Sequence, residues 1–105
     1  MNVNLRGQVA IVTGGANGIG RAIVQAFADN GANVVIVDVD GEAGRRAVEE
    51  VAGAGGVCSA LAGDVSDLDQ MERVVDQVLE RQGRIDILVN NAGINTARER
   101  VPIHE

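Results

Sequence analysis

Four glycines fall within residues 12 to 22, VTGGANGIGRA, between a run of β-branched residues and a run with helical spacing. Glycine enters left-handed backbone geometry without steric cost and lets a ligand approach the main chain without meeting a Cβ. A glycine-rich turn leading from a strand into a helix presents unpaired N–H groups and the positive end of the helix dipole, a setting that attracts phosphate. Gly14 is expected to turn the chain off the strand, Gly18 to admit a pyrophosphate and Gly20 to let the helix pack against the sheet, with Asn17 and Ile19 completing the loop. Asp38 stands 18 residues after Gly20, at the end of the next β-branched run. A carboxylate there can accept hydrogen bonds from both hydroxyls of an adenosine ribose. Val39 follows where an Arg would be needed to neutralise a 2′-phosphate, and Asn17 is uncharged, so the expected ligand is NAD in preference to NADP. The same residues also have local readings: turn chemistry for the glycines, and a helix cap or solvated loop acid for Asp38.

Two further groups fall at corresponding places. Asp64-Val65 follows a third apolar run, and Asn90-Asn91-Ala92-Gly93 follows a fourth. All four motifs thus lie at the carboxyl ends of the expected strands, the edge where open parallel sheets bind ligands. Local alternatives are capping near the third helix for Asp64 and turn amides for Asn90 and Asn91.

The elements that must position these residues alternate along the chain. Residues 9–13 (VAIVT), 33–38 (NVVIVD), 57–62 (VCSALA) and 85–89 (IDILV) read as strands covered on both faces. Helical spacing joins Ile19, Ala22, Ile23, Ala26 and Phe27; then Ala43, Ala47, Val48 and Val51; then Leu68, Met71, Val74, Val75, Val78 and Leu79. Asp40 and Ser66 or Asp67 stand at helix starts, Gln70 three residues after Asp67 suggests a capping box, and Gly31, Gly53 and Gly83 stand at helix stops. The order βαβαβαβ with short links implies a doubly wound parallel sheet of the Rossmann type, with strand order 3-2-1-4 and right-handed crossovers. In that arrangement the first two helices cover one face and the third covers the other, while strand four forms an open edge.

A chain of 105 residues that is 46% apolar, with net charge -6, fits one soluble α/β domain. The acidic balance argues against a nucleic-acid partner. No segment approaches a membrane span and the first residues lack a signal-peptide pattern, so the expected location is cytoplasmic, in keeping with the single cysteine, Cys58. Cys58 alternates with apolar residues and reads as a packing residue; His104 has no second ligand at metal spacing. Phe27 is the only aromatic residue, there is no Tyr, and all nine cationic side chains are Arg.

Taken together, Thr13 to Gly20, Asp38, Asp64-Val65 and Asn90 to Gly93 resemble the short-chain dehydrogenase/reductase family, in its branch with TGxxxGxG spacing. The resemblance covers roughly residues 5 to 95. It implies that the glycine loop binds the cofactor pyrophosphate, that Asp38 holds the adenosine ribose, and that Asp64 and Val65 line the adenine pocket. It further implies that Asn90, Asn91, Ala92 and Gly93 stabilise the sheet and touch the adenosine side, with Thr13 bonding across to them. The family's reaction is hydride transfer between nicotinamide and an alcohol or carbonyl carbon, with a Tyr as acid/base, a Lys that lowers the Tyr pKa and a Ser that orients the substrate. These 105 residues hold no Tyr or Lys, and Ser59 and Ser66 precede strand four, whereas the family's Ser follows it. The expectation is therefore the N-terminal, cofactor-binding portion of a longer domain, homo-oligomeric when intact. A non-catalytic NAD-binding half-domain or interaction module is the alternative, and a methyltransferase-like domain a third reading.

Overall fold

A computed structural model describes residues 4–91 of the chain. Seven elements follow one another: β1 (Val9–Thr13), α1 (Gly18–Asp29), β2 (Asn33–Asp38), α2 (Gly41–Gly53), β3 (Val57–Ala62), α3 (Leu68–Gln82) and β4 (Ile87–Asn90). The strands form one parallel sheet in the order β3-β2-β1-β4, the Rossmann-type arrangement that the alternation implies. β1 and β2 occupy the centre because Val, Ile and Ala on both of their faces are removed from water.

Each face of the sheet has its own core. Val12, Val34 and Ile36 meet Val24 and Ala28 of α1 and Ala47 and Val51 of α2 on one side. Val9, Ile11, Val35 and Val37 meet Val74 and Val78 of α3 on the other. Fully burying a side chain of this size stabilises the fold by about 1.5–3 kcal/mol relative to leaving it exposed. Phe27 packs only at the margin of the first core, which is otherwise aliphatic.

Several boundaries differ from the sequence expectation, each for a local reason. β4 begins at Ile87, two residues later than the apolar run suggests. Before it, Asp86 bonds twice to Val9: its N–H donates to the Val9 carbonyl at 2.9 Å, and its Oδ2 accepts from the Val9 N–H at 2.8 Å. The side chain thereby replaces a strand partner at the sheet's lower edge. α2 runs through Gly53, and the left-handed residue that follows it is Gly55, with φ 95°. β3 is an edge strand and is half-exposed, with only α2 leaning closely on it. Gly31 and Gly83 do adopt left-handed geometry after α1 and α3.

The inward stripes are also narrower than the apolar spacing. α1 buries Gly20, Val24 and Ala28, leaving Ile19 67% exposed, and α3 buries Val74 and Val78 while Leu68 and Leu79 remain exposed. Asp40 and Asp67 cap α2 and α3, each accepting two first-turn N–H groups. No helix among the described residues is long and apolar enough to cross a membrane.

Candidate functional site

The carboxyl ends of β1, β2, β3 and β4 converge on a cleft of about 310 Å³, lined among others by Gly14, Asn17, Ile19, Asp38, Asp64, Val65 and Asn91. Main-chain bonds fix its rim. The Gly14 N–H donates to the Val37 carbonyl at 2.7 Å, and the Gly63 N–H donates to the Asp38 carbonyl at 3.0 Å. Each loop is thereby tied to the end of a neighbouring strand.

Gly14 leaves β1 with φ 65°, and Gly18 opens α1 with φ 60°. A Cβ on Gly18 would meet no protein atom within 4 Å and would stand in open space. Gly20 has the opposite surroundings: a Cβ there would fall 2.1 Å from the Gly14 carbonyl oxygen and 2.6 Å from Asn91 Nδ2. The close approach it permits is to the loop itself and to Asn91, more than to the sheet. Gly15, which spacing alone does not single out, is confined more loosely, by Val24, Val12 and Ile36 at 3.0–3.2 Å from a Cβ position.

The start of α1 differs electrically from the other helix starts. Its N-cap, Asn17, is extended (φ -139°, ψ 160°) and makes no side-chain cap bond, and its first turn carries no acidic residue. α2 and α3 begin with an Asp cap and an acid in the first turn, Glu42 and Asp69. α1 therefore presents the positive end of its dipole to the cleft with no carboxylate at its cap or in its first turn, a setting that favours an anion.

At the other end of the cleft the Asp38 carboxylate bridges two loops. Its Oδ2 accepts from the Ala16 N–H at 3.3 Å and its Oδ1 from the Asp40 N–H at 3.0 Å. Val39, 71% exposed, follows it and shares the lining with Val65 and Ile19 as an apolar wall. Val37, Val39 and Gly63 line the cleft without having been marked as binding residues in the sequence; their adjacency to Asp38 and Asp64 was the available signal. Asp64 Oδ1 accepts from the Ser66 hydroxyl at 2.6 Å and the Ser66 N–H at 3.0 Å. Those bonds hold its carboxyl below the usual aspartate range. Asp64 thus closes the turn before α3, whose cap is Asp67, so the capping alternative for Asp64 falls to Asp67 while Asp64 lines the cleft.

Asn90 and Asn91 divide their tasks. Thr13 Oγ1 lies 3.0 Å from Asn90 Oδ1 and 3.3 Å from the Val89 carbonyl, which joins the ends of β1 and β4. Asn91, only 6% exposed, donates from Nδ2 to the Gly14 carbonyl at 3.2 Å. Ala92, Gly93 and His104 lie outside the described residues. Cys58 is half-buried beneath α2, and burial pushes its thiol up to about 11, which agrees with a packing role. Among the described residues no group of three or more His, Cys, Asp or Glu side chains is arranged to hold a metal ion.

The family described as short chain dehydrogenase matches residues 8–105. The chain belongs to the short-chain dehydrogenase/reductase family. It is 42% identical over 90 residues to the oxidoreductase UcpA of Salmonella typhimurium, covering 86% of this chain and 34% of that protein. The hydroxysteroid dehydrogenase of Escherichia coli superposes with a TM-score of 0.81 at 36% identity, over 85% of this chain and 37% of that one. RhlG of Pseudomonas aeruginosa, solved as an NADP active-site complex, superposes with a TM-score of 0.77 at 39% identity, over 84% of this chain and 35% of that one. This short-chain dehydrogenase chain spans about a third of the length of the curated relatives it matches. Membership makes it part of an oxidoreductase family that uses a nicotinamide dinucleotide, and it removes the methyltransferase-like reading.

Proposed function

We propose that this chain binds NAD in the cleft at the carboxyl edge of its sheet and supplies the dinucleotide-binding part of a dehydrogenase acting on an alcohol or carbonyl substrate. The uncapped start of α1, the open space at Gly18 and the Asp38 carboxylate fit the two ends of a dinucleotide. Gly14, Asn17, Gly18, Ile19 and Gly20 would hold the pyrophosphate, Asp38 the adenosine ribose, and Asp64 and Val65 the adenine. Asn90, Asn91, Ala92 and Gly93 would support the adenosine side. When bound, the nicotinamide supplies a hydride acceptor or donor.

The preference for NAD is carried by one observation: among the described residues the cleft lining contains two carboxylates, Asp38 and Asp64, and no cationic side chain. A 2′-phosphate placed against Asp38 would meet like charge with no counter-ion. TGxxxGxG spacing in Thr13 to Gly20 supports reading the chain as a member of that branch of the family. The family's phenol base and its lysine are not among these residues, so on this reading the acid/base step belongs to further chain. The same reading, by family resemblance, proposes a cytoplasmic homo-oligomer for the intact enzyme. Exposed Leu88 and the outer edge of β4, which pairs only with β1 among the described residues, are surfaces for such further chain to cover. The lack of Tyr and Lys favours a second reading for the 105 residues by themselves, a non-catalytic NAD-binding module.

Calorimetric titration of NAD and NADP into the full chain, with Asp38→Ala alongside, tests the proposal. NAD is expected to bind tighter than NADP by about tenfold or more, with the gap narrowing in Asp38→Ala. Tighter binding of NADP, or indifference to the substitution, overturns the preference.

A further inference from the structure

Gln70 stands at the third position of α3, where a capping box would return its side chain to the N-cap N–H. That N–H is already engaged: Asp67 N donates to the Asp64 carbonyl at 3.0 Å. The Gln70 side chain reaches further, and its Oε1 accepts from the Asp64 N–H at 2.8 Å. Its other half, Nε2, donates to Asp67 Oδ2 at 3.2 Å. Asp67 Oδ1 meanwhile accepts from the Asp69 and Gln70 N–H groups, capping the helix.

One primary amide thus spans the turn from Asp64 to Asp67, with its acceptor on the loop and its donor on the helix cap. An amide suits both, because it carries an acceptor oxygen for the N–H and a separate donor nitrogen for the carboxylate. The amide also faces the ligand side: Gln70 shares a hollow with Val39, Ala62, Gly63 and Asp64, and three of those residues line the main cleft. α3 itself is anchored through Val74 and Val78, one turn and two turns further on. α3 therefore fixes the Asp64 main chain through the Gln70 side chain, beside the Asp67 N–H bond to the Asp64 carbonyl and the packing of Val65 on the core around Val74 and Val78.

We propose that Gln70 is a positioning residue for the adenosine end of the cleft, setting where Asp64 and Val65 stand. The inference rests on the dinucleotide reading given above. It predicts that the polarity of the amide, more than its bulk, governs affinity. Gln70→Glu retains the acceptor for the Asp64 N–H but opposes a carboxylate to Asp67. Adding Asp67→Asn restores a donor there, and Asn is itself a good N-cap.

The experiment is calorimetric titration of NAD and of AMP into the full chain, into Gln70→Leu, into Gln70→Glu and into the Gln70→Glu/Asp67→Asn pair, with thermal unfolding of each. Gln70→Leu and Gln70→Glu are expected to lose affinity for NAD and for AMP by a similar factor of about five- to tenfold, and the double variant to regain most of it. Folded variants that bind AMP as the parent does overturn the inference, whatever their melting temperatures. A double variant as weak as Gln70→Glu overturns it too. Failure of the parent chain to bind NAD at all instead overturns the dinucleotide reading, and the inference falls with it.

Discussion

Asn91 and Gly14, 77 residues apart, are joined by a hydrogen bond of 3.2 Å from the Asn91 amide to the Gly14 carbonyl, and Gly20 leaves the space in which that bond forms. The bond ties the glycine loop to the residue that follows β4. A methyl group on Gly20 would clash with both partners. Gly20→Ala is therefore expected to lower stability by about 1–3 kcal/mol, as overpacking of a filled site does. Urea unfolding of parent and variant measures it, and an unchanged midpoint would contradict the packing described.

Gly18 should respond differently, because its surroundings are open. Gly18→Ala forces a side chain into left-handed backbone geometry, at a cost of about 1–2 kcal/mol, and places a methyl group in open space without striking protein. Part of that strain will relax in the exposed loop. The expected result is a modest fall in melting temperature with a larger proportional loss of NAD affinity. The reverse balance, stable binding in a badly destabilised protein, would show that Gly18 serves the turn alone.

Stability at low pH should depend on Asp86. Arg84, at 2.7 Å and 2.8 Å, and the Val9 N–H together hold its carboxyl below the ordinary aspartate range. A depressed native pKa means that the contribution is complete above the unfolded value of about 3.9 and is lost as pH falls through the lower native value. Asp64, held low by Ser66, acts in the same direction. Thermal unfolding of the parent and Asp86→Asn from about pH 6 down to about pH 2.5 should show their difference shrinking toward zero at the acid end. A difference constant across that range would mean that the carboxylate charge is not what Asp86 contributes.

The sheet order was legible because its central strands are uninterrupted apolar runs and α2 and α3 are punctuated by Asp40 and Asp67 at their starts. What the sequence concealed depends on tertiary placement. Ile85 extends an apolar run, but β4 waits for Ile87 since Asp86 is occupied with Val9. Gly53, Gly55 and Gly56 are equivalent as letters, and only the path of the chain selects Gly55 for left-handed geometry. In the cleft, Asp38 and the glycines were visible through spacing. The reach of Gln70 to Asp64 was not, since a capping-box spacing names a partner that the folded loop has already taken.

The proposed dinucleotide site is tested most directly by backbone amide resonances of the isotope-labelled full chain as NAD is added. The expected shifts fall at Gly14, Gly18, Ile19 and Gly20, then at Asp38, Asp64 and Val65, with the outer face of α3 silent. Shifts confined to other surfaces, such as the groove between α2 and β3, or no shifts at saturating NAD, would contradict the assignment of this cleft to the cofactor.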